Sequence, residues 1–151
     1  MGFNIKKITN GSFRAREKEI EVPALVAFHE GEGLPVWKIR GLDGDEIGQA
    51  NYLASEESQR RIKAIAEALS SSVGIPDALK EIVGGGHGVT EDNIRRTYLL
   101  VFGSVDPKVD HTAAVKIRKY CYPAFRKITD QIALLSGQGF EPGKSKPSGT
   151  E

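Results

Sequence analysis

The apolar residues of this chain change their spacing once, between Gly41 and Leu42, and that change constrains the fold more than any other feature. Before it, Phe13, Ala15, Ile20 and Val22 alternate with Arg14, Arg16, Glu19 and Glu21, the period of two that marks a strand with one buried face. Asn10 and Gly11 stand between two such runs, and an Asn-Gly pair is the dipeptide that closes a tight hairpin. Val36–Arg40, entered from Pro35 and left at Gly41, reads as the last strand. A small antiparallel sheet is therefore predicted for the N-terminal quarter.

After Leu42 the period becomes helical. Asp43 or Asp45 can accept hydrogen bonds from the free amides of a first turn, which predicts a short helix over Glu46–Ala54. Ser55, followed by Glu56 and Glu57, reads as a second N-terminus with acidic groups at the positive end of the helix dipole. Ile62, Ile65, Ala66 and Leu69 then recur on one face, with Arg60, Arg61, Lys63 and Glu67 opposite. Ser70–Ser72 ends that helix, Pro76 opens a short segment with Leu79, Ile82 and Val83 inward, and Gly84–Gly88 is a flexible connector.

Thr90 caps the next helix, where Ile94, Tyr98, Val101 and Phe102 share a face that Leu99 and Leu100 widen. That helix is either buried on most sides or set in an interface. Asp106-Pro107 marks a turn. From Asp110 onward Ala113, Ala114, Ile117, Tyr120 and Cys121 form one apolar stripe, which Ala124, Phe125, Ile128, Ile132 and Leu135 continue. Pro123 interrupts it with a kink or a break, because proline lacks the amide hydrogen and its ring collides with the preceding turn.

The last helix should stop at Gly137, a residue suited to a left-handed cap. Gly139, Pro142, Gly143, Ser145, Pro147, Ser148 and Gly149 crowd the C-terminal end, with Phe140 its one large apolar residue. The expected architecture is α+β and mainly α: a small N-terminal antiparallel sheet, a bundle of about five helices and a flexible C-terminal tail. Residues 1–137 read as a single globular domain, strand-rich over 1–41 and helical over 42–137, and residues 138–151 as the tail.

The 151 residues match one domain, since a domain takes roughly 150. A chain of this length hides roughly 68–70% of its unfolded surface, so it needs no disulfide or metal staple. One cysteine excludes an intrachain disulfide and leaves the cytoplasm as the expected compartment. No stretch approaches the ~20 apolar residues of a membrane span, and Met1–Ile8 lacks the apolar run of a secretion signal. A formal charge of +1 gives no global attraction to a polyanion.

No catalytic constellation emerges, and the pattern describes a binding protein with no cofactor or metal site better than an enzyme. Gly143-Lys144-Ser145 ends like a phosphate-binding loop, but Gln138 stands where its first glycine belongs and a helix precedes it where a strand should. The glycines of 84–88 miss the dinucleotide-binding spacing at Val89 and Glu91. His29, His87 and His111 lack the spacing of zinc ligands and read as surface residues. Cys121, on the apolar stripe, reads as a small buried hydrophobe. Lys116, Arg118, Lys119, Arg126 and Lys127 interleave with Tyr120, Tyr122 and Phe125, the mixture of charges and rings that holds single-stranded nucleic acid. Tyr120 and Phe125 belong to the core stripe, which leaves Tyr122 outside and makes a nucleic-acid-binding adaptor the alternative reading.

Three segments carry a family resemblance. Val36–Glu46 runs as a strand, then Arg40-Gly41-Leu42, then an acidic helix start. Val101–Pro107 contains a Gly-x-x-Asp-Pro turn and leads into an alanine-bearing helix, Tyr122-Pro123 and Phe125. Ile132–Gly139 closes with Ser136-Gly137-Gln138-Gly139, where the family favours threonine at the serine position. In this order, over about two thirds of the chain, they resemble the tail assembly chaperones of long-tailed bacteriophages.

The resemblance implies a protein of the host bacterial cytoplasm, not retained in the mature virion, that coats the tape measure protein while the major tail tube protein assembles around it. A tape measure is a long helical chain with exposed apolar faces, so its chaperone needs many weak helix-in-groove contacts. Tyr98, Tyr122, Leu134 and Phe140 are the candidates for such contact, whereas Ile128 and Ile132 read as core. Family members are often also made as a longer form through a ribosomal frameshift. Pro142-Gly143-Lys144 is compatible with the codons CCG GGA AAG, which hold a slippery G-GGA-AAG run, and the tail would then link to the extension. Association of the chain with itself is a further expectation. The strands of 1–35, outside the resemblance, either pair with a neighbouring copy or tube protein or cap the helices.

Overall fold

In the computed structural model, which describes residues 2–70 and 90–143, the sheet draws on both halves of the chain. Strands β2 (Glu17–Glu21) and β3 (Val36–Arg40) pair antiparallel with Ile20 opposite Trp37, so Ile20, Trp37 and Ile39 face inward and are buried. The glutamates of β2 alternate outward and stay exposed, as a period of two requires. Strand β4 (Ser104–Asp106), from the helical half, adds to the far edge of β3. β3 is therefore the central strand rather than the last of an N-terminal sheet. The Trp37 indole N–H fixes this pairing by donating to Ser104 Oγ at 3.0 Å in the buried interior.

The extreme N-terminus corrects the hairpin expectation. Residues Ile5–Thr9 form a helical turn, α1, started by Asn4, whose side chain accepts from the Lys7 amide. Asn10 and Gly11 close this helix by donating to Lys6 O and Ile8 O. The local side-chain and turn bonds outweigh the weak alternation of this stretch, and no α1 residue is buried. Strand β1 (Phe13–Arg14) then pairs with β5 (Glu141–Pro142), outside the three-stranded sheet. Between β2 and β3 lies a 3-10 helix, Pro23–Phe28.

Helix α2 runs unbroken over Gly44–Ser70, where two helices were expected. Asp43 and Glu46 form a reciprocal cap, with the Glu46 amide on Asp43 Oδ1 at 2.8 Å and the Asp43 amide on Glu46 Oε2 at 3.3 Å. Within α2 no glycine or proline follows Gly48, and Tyr52–Glu56 and Glu57–Arg61 contacts run past Ser55, so that serine rides inside the helix. The Arg40 guanidinium grips Glu46 with two bonds of 2.9 Å, tying β3 to the start of α2.

Helices α3 (Glu91–Gly103), α4 (His111–Tyr120) and α5 (Tyr122–Gly137) complete the fold. Thr90 caps α3 as its sequence foretold, and Asp110 caps α4 by accepting from the Ala113 amide. The chain breaks at Cys121, and Pro123 sits in the first turn of α5, where its missing amide costs nothing. α3 packs on α2, α4 and α5, and α5 lies against β3. Ile39, Leu42, Leu100, Phe125, Ile128 and Ile132 form the fully buried centre. Among the described residues no helix is long and apolar enough to cross a membrane.

The last helix ends at Gly137, but Gly139 rather than Gly137 takes the left-handed conformation, with φ +70°. Residues 138–143 fold back on the N-terminus: Glu141 meets Arg14 at 3.1 Å and Arg16 at 2.7 Å, and the Gly143 amide donates to Ser12 O. Of the helix end expected at Ser70–Ser72, Ser70 is still in α2, and Ser71 and Ser72, the Pro76 segment, the Gly84–Gly88 connector and the tail from Lys144 lie outside the described residues.

Candidate functional site

Helix α4 has too little core beneath it for its apolar residues. Of the stripe Ala113, Ala114, Ile117, Tyr120 and Cys121, only Ala114 is buried. The other four, at helical spacing, line one wall of a surface groove of about 460 Å³. Val22, Leu25, Phe28 and His29 of the 3-10 helix region, Pro35, Val36 and Trp37, and Pro107, Lys108 and Val109 also line it. Phe28 is 76% exposed and Tyr120 72%, so two aromatic rings stand free at the rims. This volume lies within the range of binding sites for small ligands and side-chain anchors.

The charges lining this groove have one sign. Among the described residues that line it, Lys108 and Lys116 are charged, His29 is the one histidine, and none is a carboxylate. The Lys119 ammonium lies 5.3 Å from the Tyr120 ring centre and extends the positive border. Glu30 and Glu32 stand on the exposed loop beyond His29. Two expectations are thereby corrected: Tyr120 is an exposed groove residue and not core, and Cys121 is half-buried in the groove wall and not interior. Helical spacing identifies a stripe but not whether another element covers it.

The four residues singled out for partner contact are scattered, and none lines the groove. Tyr98 is held between helices, its hydroxyl 3.4 Å from Glu57 and its ring 5.3 Å from that of His111. Partial burial, then the neighbouring Glu57, raises the Tyr98 pKa. Tyr122 is 43% exposed, stacks on Phe125 and directs its hydroxyl toward Asn93. Leu134 is exposed on α5, and Phe140 is half-buried beside the β1–β5 pair. Sequence reasoning missed Phe28, which ends a 3-10 helix with no strand or α-helical period, and Val36, which takes an exposed position of β3.

The five basic residues of 116–127 likewise form no common face. Arg118 turns inward and donates to Thr97 Oγ1 at 2.9 Å, and burial, then the charge of Arg61, lowers its pKa. Arg126 lies 3.8 Å from Asp92 and 3.9 Å from Asp130, two carboxylates it shares with Arg96. Lys127 donates to the Glu21 carbonyl at 2.6 Å, while Lys116 and Lys119 border the groove. In that shared cluster partial burial works against the Asp92 charge, but bonds from Arg95 and Arg96 outweigh it and lower the carboxyl pKa.

A second cavity, lined by Arg14, Arg16, Glu17, Gln138 and Glu141, is polar, and Glu141 already engages both arginines. Among the described residues no group of His, Cys, Asp and Glu is arranged to hold a metal ion. The three segments that carry the family resemblance meet in the interior. A Cβ on Gly41 would lie 3.1 Å from the Leu135 backbone, and the Leu42 amide donates to Ser136 Oγ at 2.8 Å. Gly103 abuts Ile132, and Ser104 receives Trp37. These residues hold the fold together, and Val36, Trp37 and Pro107 of the same segments also line the groove. Comparison with protein-family models, with curated proteins and with solved structures returns no match for this chain.

Proposed function

We propose that this protein is a phage tail assembly chaperone, acting in the host bacterial cytoplasm, that covers the apolar faces of a helical tape measure protein and helps recruit tail tube subunits. The observation that carries the reading is the incompletely covered apolar stripe of α4, Ala113, Ile117, Tyr120 and Cys121, which lines one groove together with Phe28 and Val36. Burying one large apolar side chain is worth about 1.5–3 kcal/mol. A groove that takes two or three such anchors gains several kcal/mol, most of which the cost of association cancels. Each contact is then weak, and many copies along one partner add through avidity. A coat that must later be stripped off needs this combination. A frameshift-extended form of the chain, continuing beyond the segment that pairs with β1, would bring the tube subunits.

The engagement of Arg118, Arg126 and Lys127 with other parts of the protein speaks against the nucleic-acid-binding adaptor. The test is co-expression with the long helix-rich protein encoded nearby. The proposal expects that protein to remain in the supernatant only when this chain is present. A partner equally soluble without the chain would refute the proposal.

A further inference from the structure

We propose that the groove selects an acidic amphipathic helix: large apolar side chains seat between the Phe28 and Tyr120 rings, and carboxylates flanking them face Lys108, Lys116 and Lys119. This inference rests on the chaperone reading and specifies which partner segments are held. The occupant is helical because of what the groove lacks. Its only strand residues are Val36 and Trp37 of β3, whose edge toward β2 is taken by Glu21 and Ile20 while β4 meets β3 further on at Lys38 and Ile39, so at most two residues of strand edge are open to an extended chain. An extended segment pressed into this apolar surface would leave its amides and carbonyls without partners, whereas a helix brings its own backbone bonds.

The occupant is acidic because the lining is not. Lys108 of the turn before α4 and Lys116 of α4 line it, Lys119 borders Tyr120, and among the described residues no lining carboxylate offsets them. The same reasoning removes a nearer candidate. Residues 2–9 expose Phe3, Ile5 and Ile8, but this arm carries Lys6 and Lys7, so a second copy's arm in the groove would set lysines against lysines.

Trp37, the chain's one tryptophan, lines the groove, so its emission reports occupancy. Two peptides of about 20 residues, long enough to form a helix, carry leucine at i, i+3, i+4 and i+7 and either glutamate or lysine elsewhere. The expected result is about 10-fold tighter binding of the glutamate peptide at ~0.1 M salt, equivalent to about 1.4 kcal/mol, with the difference shrinking at ~1 M salt as the screening length falls. The paired change Lys108→Glu and Lys116→Glu, at two exposed positions, should reverse the preference. Phe28→Asp with Tyr120→Asp, also exposed, should weaken the glutamate peptide by at least ~10-fold without altering the circular dichroism spectrum. Equal binding of the two peptides, a preference for lysine, or indifference to the aspartates overturns the inference. If the chain nevertheless keeps the long partner in solution, the chaperone reading stands and only the assignment of this groove falls. If the partner is soluble without the chain, the reading itself falls, whatever the peptides do.

Discussion

Replacing Gly103 with alanine tests the packing that sets α3 against α5, and so the frame on which α4 and the groove rest. A Cβ at this position would stand 2.7 Å from Ile132 Cγ2, 2.8 Å from Cδ1 and 3.0 Å from Cγ1, closer than side-chain carbons approach one another. Ile132 is fully buried and has no open space into which to swing. Overpacking of this kind costs about 1–3 kcal/mol. Alanine returns at most about 1 kcal/mol through helix propensity, and less here, because Gly103 is the last residue of α3. A net loss of ~1–2 kcal/mol should lower the Tm by about 2–8 °C at this chain length.

The sign should reverse in an Ile132→Ala background. That change alone costs ~2–5 kcal/mol by leaving a cavity, and the methyl introduced by Gly103→Ala would then partly fill it, stabilising by up to ~1 kcal/mol. Urea unfolding of the four proteins, followed by circular dichroism, completes the cycle. If Gly103→Ala were neutral in the parent, or equally costly in both backgrounds, this account of the α3–α5 contact would be wrong.

The same contacts make further outcomes testable. Asp92→Asn should destabilise at neutral pH but not in acid. The native carboxyl binds its proton more weakly than in the unfolded chain, so its contribution is present above the ordinary value of about 4 and lost as pH falls through the lower native value. Thermal melts of both proteins from neutral to acidic pH would show the gap closing, and a constant gap would exclude the arginine contacts as its source. Trp37→Phe removes the bond to Ser104 and should cost ~1–3 kcal/mol in denaturant unfolding, and a loss within error would show that this buried bond does not hold β4 to β3. Glu141→Ala breaks the partly exposed pairs with Arg14 and Arg16, so global stability should shift by less than about 1 kcal/mol. Amide exchange at Gly143 should nevertheless quicken, and unchanged protection there would mean that β1–β5 pairing alone suffices.

The sequence showed most plainly those features whose causes are local. Thr90 announces a helix start because its side chain bonds the amide three residues on, and Pro123 announces a break because it has no amide to give. The central place of β3 was hidden, since β4 is too short to show a period and pairs with residues far away in the chain. The groove was hidden for a related reason. Ala113, Ile117, Tyr120 and Cys121 have the spacing of a core stripe, and only the positions of Trp37, Phe28 and the Pro107 turn reveal that most of it stays open. Arg14 and Arg16 looked like the solvent face of a strand until Glu141, from the other end of the chain, came to meet them.

The most direct test of the central claim is capture from cells that express the neighbouring genes, using the tagged chain beside its Phe28→Asp, Tyr120→Asp variant, with mass spectrometry of the bound proteins. The account predicts that the native chain retains one very long, helix-rich protein and a tube-forming subunit through nuclease treatment and moderate salt, and that the variant loses the long protein. Recovery of nucleic acid and ribosomal proteins alone, released by high salt and equal for both chains, would contradict it.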